Sequence, residues 1–224
     1  MKIGTKSVLY GAHAFWLHPW FVAAAWWKLY GFPWDPRLWV AFFVHDLGYF
    51  GKPNMDGPEG EGHPKWGARV MLYWFEGVPS HPGSLNRRVA CAFDRLFGRL
   101  RNGRMVPWHD LVMHHSRFLA KRQKAPPSRL CPADKLAVAL EPWWLYLPRV
   151  IATGEIDEYM EQARQRGDGP AGDHKYASMA LNTDTRRRWF SSMAKYLRAW
   201  AYEHRDGRAD TWTPEQLVAP REEP

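Results

Sequence analysis

Residues 41–53 read "AFFVHDLGYFGKP". Four apolar residues run directly into His45 and Asp46, and Gly48, Gly51 and Pro53 then stop a helix. A run of this kind is buried, so the histidine and the carboxylate at its end are expected to be buried with it. A buried carboxylate without a partner is costly, so Asp46 calls for hydrogen-bonded neighbours or a metal.

Outward from this stretch the apolar spacing is helical almost throughout, with no long alternating strand pattern, internal repeat or low-complexity tract. The spacing predicts helices over 19–30, 36–47, 63–77, 84–101 and 107–120. A further one begins at "CPADKLAVAL" and bends or breaks at Pro142. "GEIDEYMEQARQ" (154–165) and 184–204 follow, the last capped by Thr183 or Asp184. The expected fold class is all-α. The expected organisation is one domain over 1–205, with a C-terminal helical extension at 141–205 and a frayed polar tail at 206–224.

At 224 residues the chain can bury a full core without disulfide or metal staples. Cys91 and Cys131 lie far apart in no metal-binding spacing and read as reduced core thiols of a cytoplasmic protein. The net charge of +8 favours anionic partners. The aromatic N-terminal stretch is interrupted by His13, His18, Pro19 and Lys28, well short of the ~20 apolar residues that span a bilayer, so no membrane span is expected. The 14 tryptophans, in pairs such as Trp26-Trp27 and Trp143-Trp144, fit a pocket lining or, more simply, core. The basic runs at 95–104, 121–124 and 185–190 carry no nucleic-acid motif and read as solvated faces.

The chemistry-bearing residues are His18, the pair His45-Asp46, His63, the pair His114-His115, and Asp134, distributed over different predicted helices. Mixed imidazole and carboxylate donors suit a divalent transition metal: manganese, iron, cobalt, nickel or zinc. His13 competes with His18 as a donor. Neighbours on a helix point ~100° apart, so only one of His114 and His115 is expected to face a given ion.

These residues resemble the HD-domain superfamily of metal-dependent phosphohydrolases. The matching segments are "HPWFVA" (His18), "FFVHDLGY" (His45, Asp46), "GHPKWGARVM" (His63), "LVMHHSR" (His114, His115) and "CPADKLAVAL" (Asp134), in family order over roughly 13–140. The resemblance implies an HD-like helical bundle with His18, His45, Asp46 and Asp134 around a first metal. It implies that His63 and one of His114 or His115 complete a second site bridged by Asp46, or act as acid and phosphate binder. The implied activity is hydrolysis of a nucleotide or another small phosphate ester. Two rivals keep the same residues: a di-iron oxygenase of the same superfamily, and an inert nucleotide- or nucleic-acid-binding module. Among the flanking cations Lys65, Arg117, Lys121 and Lys135, Arg117 is the preferred partner for transferring phosphate. The acidic, glycine-rich loop "DGPEGEG" (56–62) is no phosphate cradle, and reads as an ordinary loop or a lid.

Overall fold

The computed structural model describes residues 1–55, 59–76, 84–98, 107–165, 181–210 and 212. The described residues are helical and contain no strand, as the spacing predicts. Helices α1 (Ile3–Tyr10), α2 (His18–Tyr30) and α3 (Pro36–Val44) come first, and α4 (Pro64–Met71) runs into one π-helical turn at Leu72–Glu76. Then come α5 (Leu85–Phe97), α6 (Trp108–Met113), α7 (Arg117–Arg122), α8 (Leu130–Leu140), α9 (Trp143–Thr153), α10 (Glu155–Gln165) and α11 (Arg186–His204).

Local chemistry sets several of these boundaries. Asp35 accepts a hydrogen bond from the Arg37 backbone N–H at 2.9 Å, and Pro36 fits the first helical position of α3. Gly31, at φ +91°, ends α2 in backbone that disfavours a side chain, and Gly154, at φ +85°, does the same between α9 and α10. Helix α8 packs extensively against both α2 and α11; α4 packs on α6, and α3 joins α2 to α4. One large cluster, including Val22, Trp26, Phe42, Leu111, Leu130, Leu136 and Trp189, fills the space between them.

Several expectations are corrected. Helix α1 was not anticipated: its buried positions are Gly4, Thr5, Ser7 and Val8, so only one apolar residue marks its inner face. The helix expected over 36–47 stops at Val44, and His45 and Asp46 lie in the turn leading to a short 3-10 segment at Leu47–Tyr49. The helix expected over 107–120 is two helices, because the chain turns at His114–Ser116 and Ser116 caps α7 by accepting from Leu119 N–H. Pro142 separates α8 from α9 rather than bending a single helix. Thr185, not Thr183 or Asp184, caps α11.

The tail is not frayed from 206 onward. Asp210 is buried, accepting from Trp200 Nε1 and Trp212 N, and Trp212 packs with Cys131, Tyr196 and Trp200. Of the two free cysteines only Cys131 is in the core; Cys91 is exposed on α5. Trp26 is core, whereas Trp27, Trp143 and Trp144 are exposed. Residues 99–106, 56–58 and 213–224, which carry parts of the basic run, the acidic loop and the tail, lie outside the described residues. Among those described, no helix is long and apolar enough to cross a membrane.

Candidate metal centre

Five segments bring six side chains together. His18 is the first residue of α2; His45 and Asp46 follow α3; His63 precedes α4; His115 lies in the turn before α7; Asp134 projects from α8. All six are buried. Two glycines allow the α3 end and α4 to meet. A Cβ on Gly67 would stand 2.4 Å from the Val44 carbonyl oxygen, and one on Gly48 would stand 1.9 Å from that of His63. These near-contacts place His63 beside Asp46.

The donors form two sets that share Asp46. In the first, His18 Nε2 lies 2.9 Å from Asp134 Oδ1 and 3.6 Å from Asp46 Oδ2. His45 Nε2 lies 3.0 Å from Asp46 Oδ2 and 3.6 Å from Asp134 Oδ1. In the second, Asp46 Oδ1 is 3.2 Å from His115 Nε2 and 3.5 Å from His63 Nε2, and the two Nε2 atoms are 3.0 Å apart. Within each set the donor atoms lie within 4.8 Å of one another.

Three of the imidazoles are held by their own turns. The Nδ1 atoms of His45, His63 and His115 lie 2.9, 2.8 and 2.6 Å from the carbonyl oxygens of Phe42, Gly60 and Val112, each three residues earlier. A carbonyl only accepts, so each Nδ1 carries the proton. In the neutral ring, Nε2 then presents its lone pair inward, the tautomer a metal requires.

For His63 and His115 this sets two lone pairs face to face at 3.0 Å, where neither neutral ring can donate to the other. His45 Nε2 and Asp46 Oδ2, though close, also lack hydrogen-bond geometry and stay without a hydrogen-bond partner. A cation resolves each of these conflicts. Ligands about 2.1 Å from an ion lie about 3.0 Å apart along an octahedral edge and about 3.4 Å along a tetrahedral one, and the donor spacings here fall around those lengths. The residues therefore fit a bound divalent ion.

Electrostatics supports the same reading. Burial alone would raise the carboxyls of Asp46 and Asp134. The neighbouring imidazoles, His45 foremost, outweigh it at Asp46, and Lys135 and His18 outweigh it at Asp134, so both are held well below the usual carboxylate range. Burial opposes charge on His45, yet Asp46 and Asp134 push it up to about 10. Burial and His115 hold His63 well below its ordinary value. In the metal-free protein, then, a proton on His45 is what balances Asp46.

Of the open alternatives, His18 and His115 are the side chains that converge on the cluster. His13 stands beside the cluster, its ring packed on His18 and Tyr49, but its Nδ1 is engaged by Ser7 Oγ at 2.9 Å. Burial, foremost, lowers it to about 4. His114 points away and pairs with Gln123 Oε1 at 2.8 Å, because the turn after α6 separates the two neighbouring rings.

Arg117 is turned to α11, donating to Tyr196 Oη at 2.8 Å beneath the rings of Tyr196 and Trp200. Its expected place beside transferring phosphate is thus corrected: it supports the packing of α7 on α11. Lys135 pairs with the outer oxygen of Asp134 at 2.7 Å.

Sequence reasoning missed the stack of Tyr49 on His63, with centroids 3.8 Å apart, and the link from His13 through Ser7 to buried Glu155. Tyr49 was within reach, lying three residues after Asp46 in the same motif. Glu155 was not, because its partners Ser7, Ala12 and Thr153 are assembled only by the fold. No family model, curated protein or solved structure matches this chain.

Proposed function

We propose that the protein is a metal-dependent phosphohydrolase acting on a nucleotide or a related small phosphate ester, with an HD-like ligand arrangement. The observation that carries this reading is the pair of buried donor sets joined by the two oxygens of Asp46. His18, His45, Asp46 and Asp134 would hold one ion, and Asp46, His63 and His115 a second. Divalent ions there would supply Lewis acidity toward a phosphoryl oxygen, would acidify water and would add positive charge that two carboxylates only partly cancel.

The chain's own residues do the rest. The carbonyls of Phe42, Gly60 and Val112 hold the imidazoles in one tautomer and orientation. Lys135 occupies the outer oxygen of Asp134 and leaves the inner one for the cluster. Tyr49 covers one face of His63 and restricts water there. Ser7 Oγ donates to Glu155 and so accepts from His13 Nδ1, which leaves the uncharged His13 with an Nε2 lone pair that accepts a hydrogen bond from a hydroxyl or a water and offers none to a phosphate oxygen.

The test is phosphate release by protein loaded with manganese under non-oxidising conditions, against a panel of nucleotides and small phosphomonoesters. Turnover that disappears in Asp46→Ala is expected. A fully loaded protein that releases no phosphate from any of them overturns the reading. Oxygen consumption by the iron-loaded protein would point to the di-iron oxygenase instead. Nucleotide binding without either reaction would point to the inert module.

A further inference from the structure

Helix α2 presents one stripe to solvent, Trp20, Ala24, Trp27 and Lys28, at helical spacing. Trp20 is 55 % exposed and Trp27 61 %, and Trp34 in the following turn is 80 % exposed. The rings form two neighbouring groups. Trp20 meets Trp39 and Phe43 of α3 at 5.8 and 5.7 Å, Trp27 meets Phe32 at 5.6 Å, and Phe32 meets Trp34 at 4.5 Å. Trp39 ties the two halves by donating from Nε1 to the Pro33 carbonyl at 2.9 Å. Phe15 and Trp16, just before α2, are exposed as well. This far exceeds the scattered exposed apolar residue that any surface shows.

The charge of the same segment is one-sided. Residues 1–34 contain Lys2, Lys6 and Lys28 and no aspartate or glutamate. The first acid, Asp35, is taken up by buried Arg37 through contacts of 2.7–3.1 Å. We propose that this aromatic face docks the protein onto the surface of an anionic lipid bilayer, lying on it rather than crossing it.

Tryptophan is the residue that settles at the boundary of headgroup and acyl chain, with its ring apolar and its N–H wet. Lys28, exposed on the same stripe, adds attraction to anionic headgroups. A second copy of the chain fits the face less well: a two-fold contact would bring Lys28 toward its equivalent, and residues 1–34 supply no acid to pair it.

The experiment is co-sedimentation of the full chain with vesicles of phosphatidylcholine, with and without about 30 % phosphatidylserine, read also by the shift of tryptophan emission. Binding to the anionic vesicles and weaker binding to the neutral ones is expected. The triple variant Trp20→Ser/Trp27→Ser/Trp34→Ser should lose at least about tenfold in affinity, since interfacial binding scales with buried apolar area, while keeping its helicity and metal content. The single variant Lys28→Glu, which leaves the rings in place, should lose binding to the anionic vesicles selectively. Equal binding by wild type and the triple variant overturns the proposal, as does absence of binding to either vesicle. Self-association that the triple variant abolishes, without vesicle binding, would assign the face to a second copy and likewise overturn it.

Discussion

Replacing Gly48 by alanine perturbs one half of the metal centre through a single methyl group. The added Cβ would lie 1.9 Å from the His63 carbonyl oxygen, whereas ordinary contact begins near 3.4 Å. The two backbones must therefore part by about 1.5 Å (3.4 Å against 1.9 Å). Metal–ligand distances tolerate only about 0.2 Å, so a displacement of that size removes His63 from the second donor set.

The turn carrying His45 and Asp46 is anchored by α3 and by its contacts with His18 and His115, so His63 is the side that yields. Metal analysis should find wild-type protein with two ions and Gly48→Ala with one. Overpacking of this kind costs about 1–3 kcal/mol. For a chain of this size each kcal/mol lowers Tm by about 2–4 °C. Gly62→Ala is the control: it lies next to His63, but its Cβ would meet nothing within 4 Å, so both ions and Tm should be kept. Two ions and an unchanged Tm in Gly48→Ala would refute the reasoning. Loss of both ions would mean that Asp46 moved instead, and would refute it too.

Other outcomes follow from the same geometry. His115→Ala should lose one equivalent of metal and His114→Ala none, as read by metal analysis; the reverse would invert the assignment. Arg117→Ala should leave metal content intact but cost about 1–3 kcal/mol in a denaturant titration, because the Tyr196 hydroxyl loses its hydrogen bond and the rings of Tyr196 and Trp200 lose the guanidinium packed on them. Chelation should abolish activity while circular dichroism stays native, with manganese, iron, cobalt, nickel or zinc restoring activity better than magnesium or calcium. In the chelated protein His45 is raised from 6.5 to about 10. Its stabilising contribution is complete below pH about 6.5 and is lost as pH rises through about 10, a decline in denaturant midpoint that the metal-loaded protein should not share.

The centre was legible to the extent that its residues sit at helix ends or on apolar helical faces. His18, His45, Asp46, His63 and Asp134 all stand where burial is expected and a polar group needs a reason. What escaped was decided by non-local contacts or by small breaks in regularity. The choice of His115 over His114 turns on a break that Ser116, a capping residue, signals only when read with the Leu119 N–H it satisfies. Helix α1 escaped because, of its buried positions, Gly4, Thr5 and Ser7 are small residues that hydropathy does not mark, and only Val8 is apolar. Burial of Arg37 depends on Asp94, 57 positions away, and that of Trp212 on α8 and α11, so neither shows in local spacing.

Asp46 turns a different oxygen to each donor set, Oδ2 to His18 and His45 and Oδ1 to His63 and His115. If both donor sets take up ions as proposed, the two sites would be thermodynamically linked through one rigid group. An ion in either set would restrict the carboxylate plane that the other set uses, and each ion would feel the other's charge across it. Linkage of this kind is reciprocal: whatever factor the first ion imposes on the affinity of the second, the second imposes on the first. Stepwise binding constants then belong to the pair rather than to either site, as the proton affinities of a coupled dyad do. A substitution confined to one set is felt in the other as a changed affinity, even where no ligand of that other set has moved.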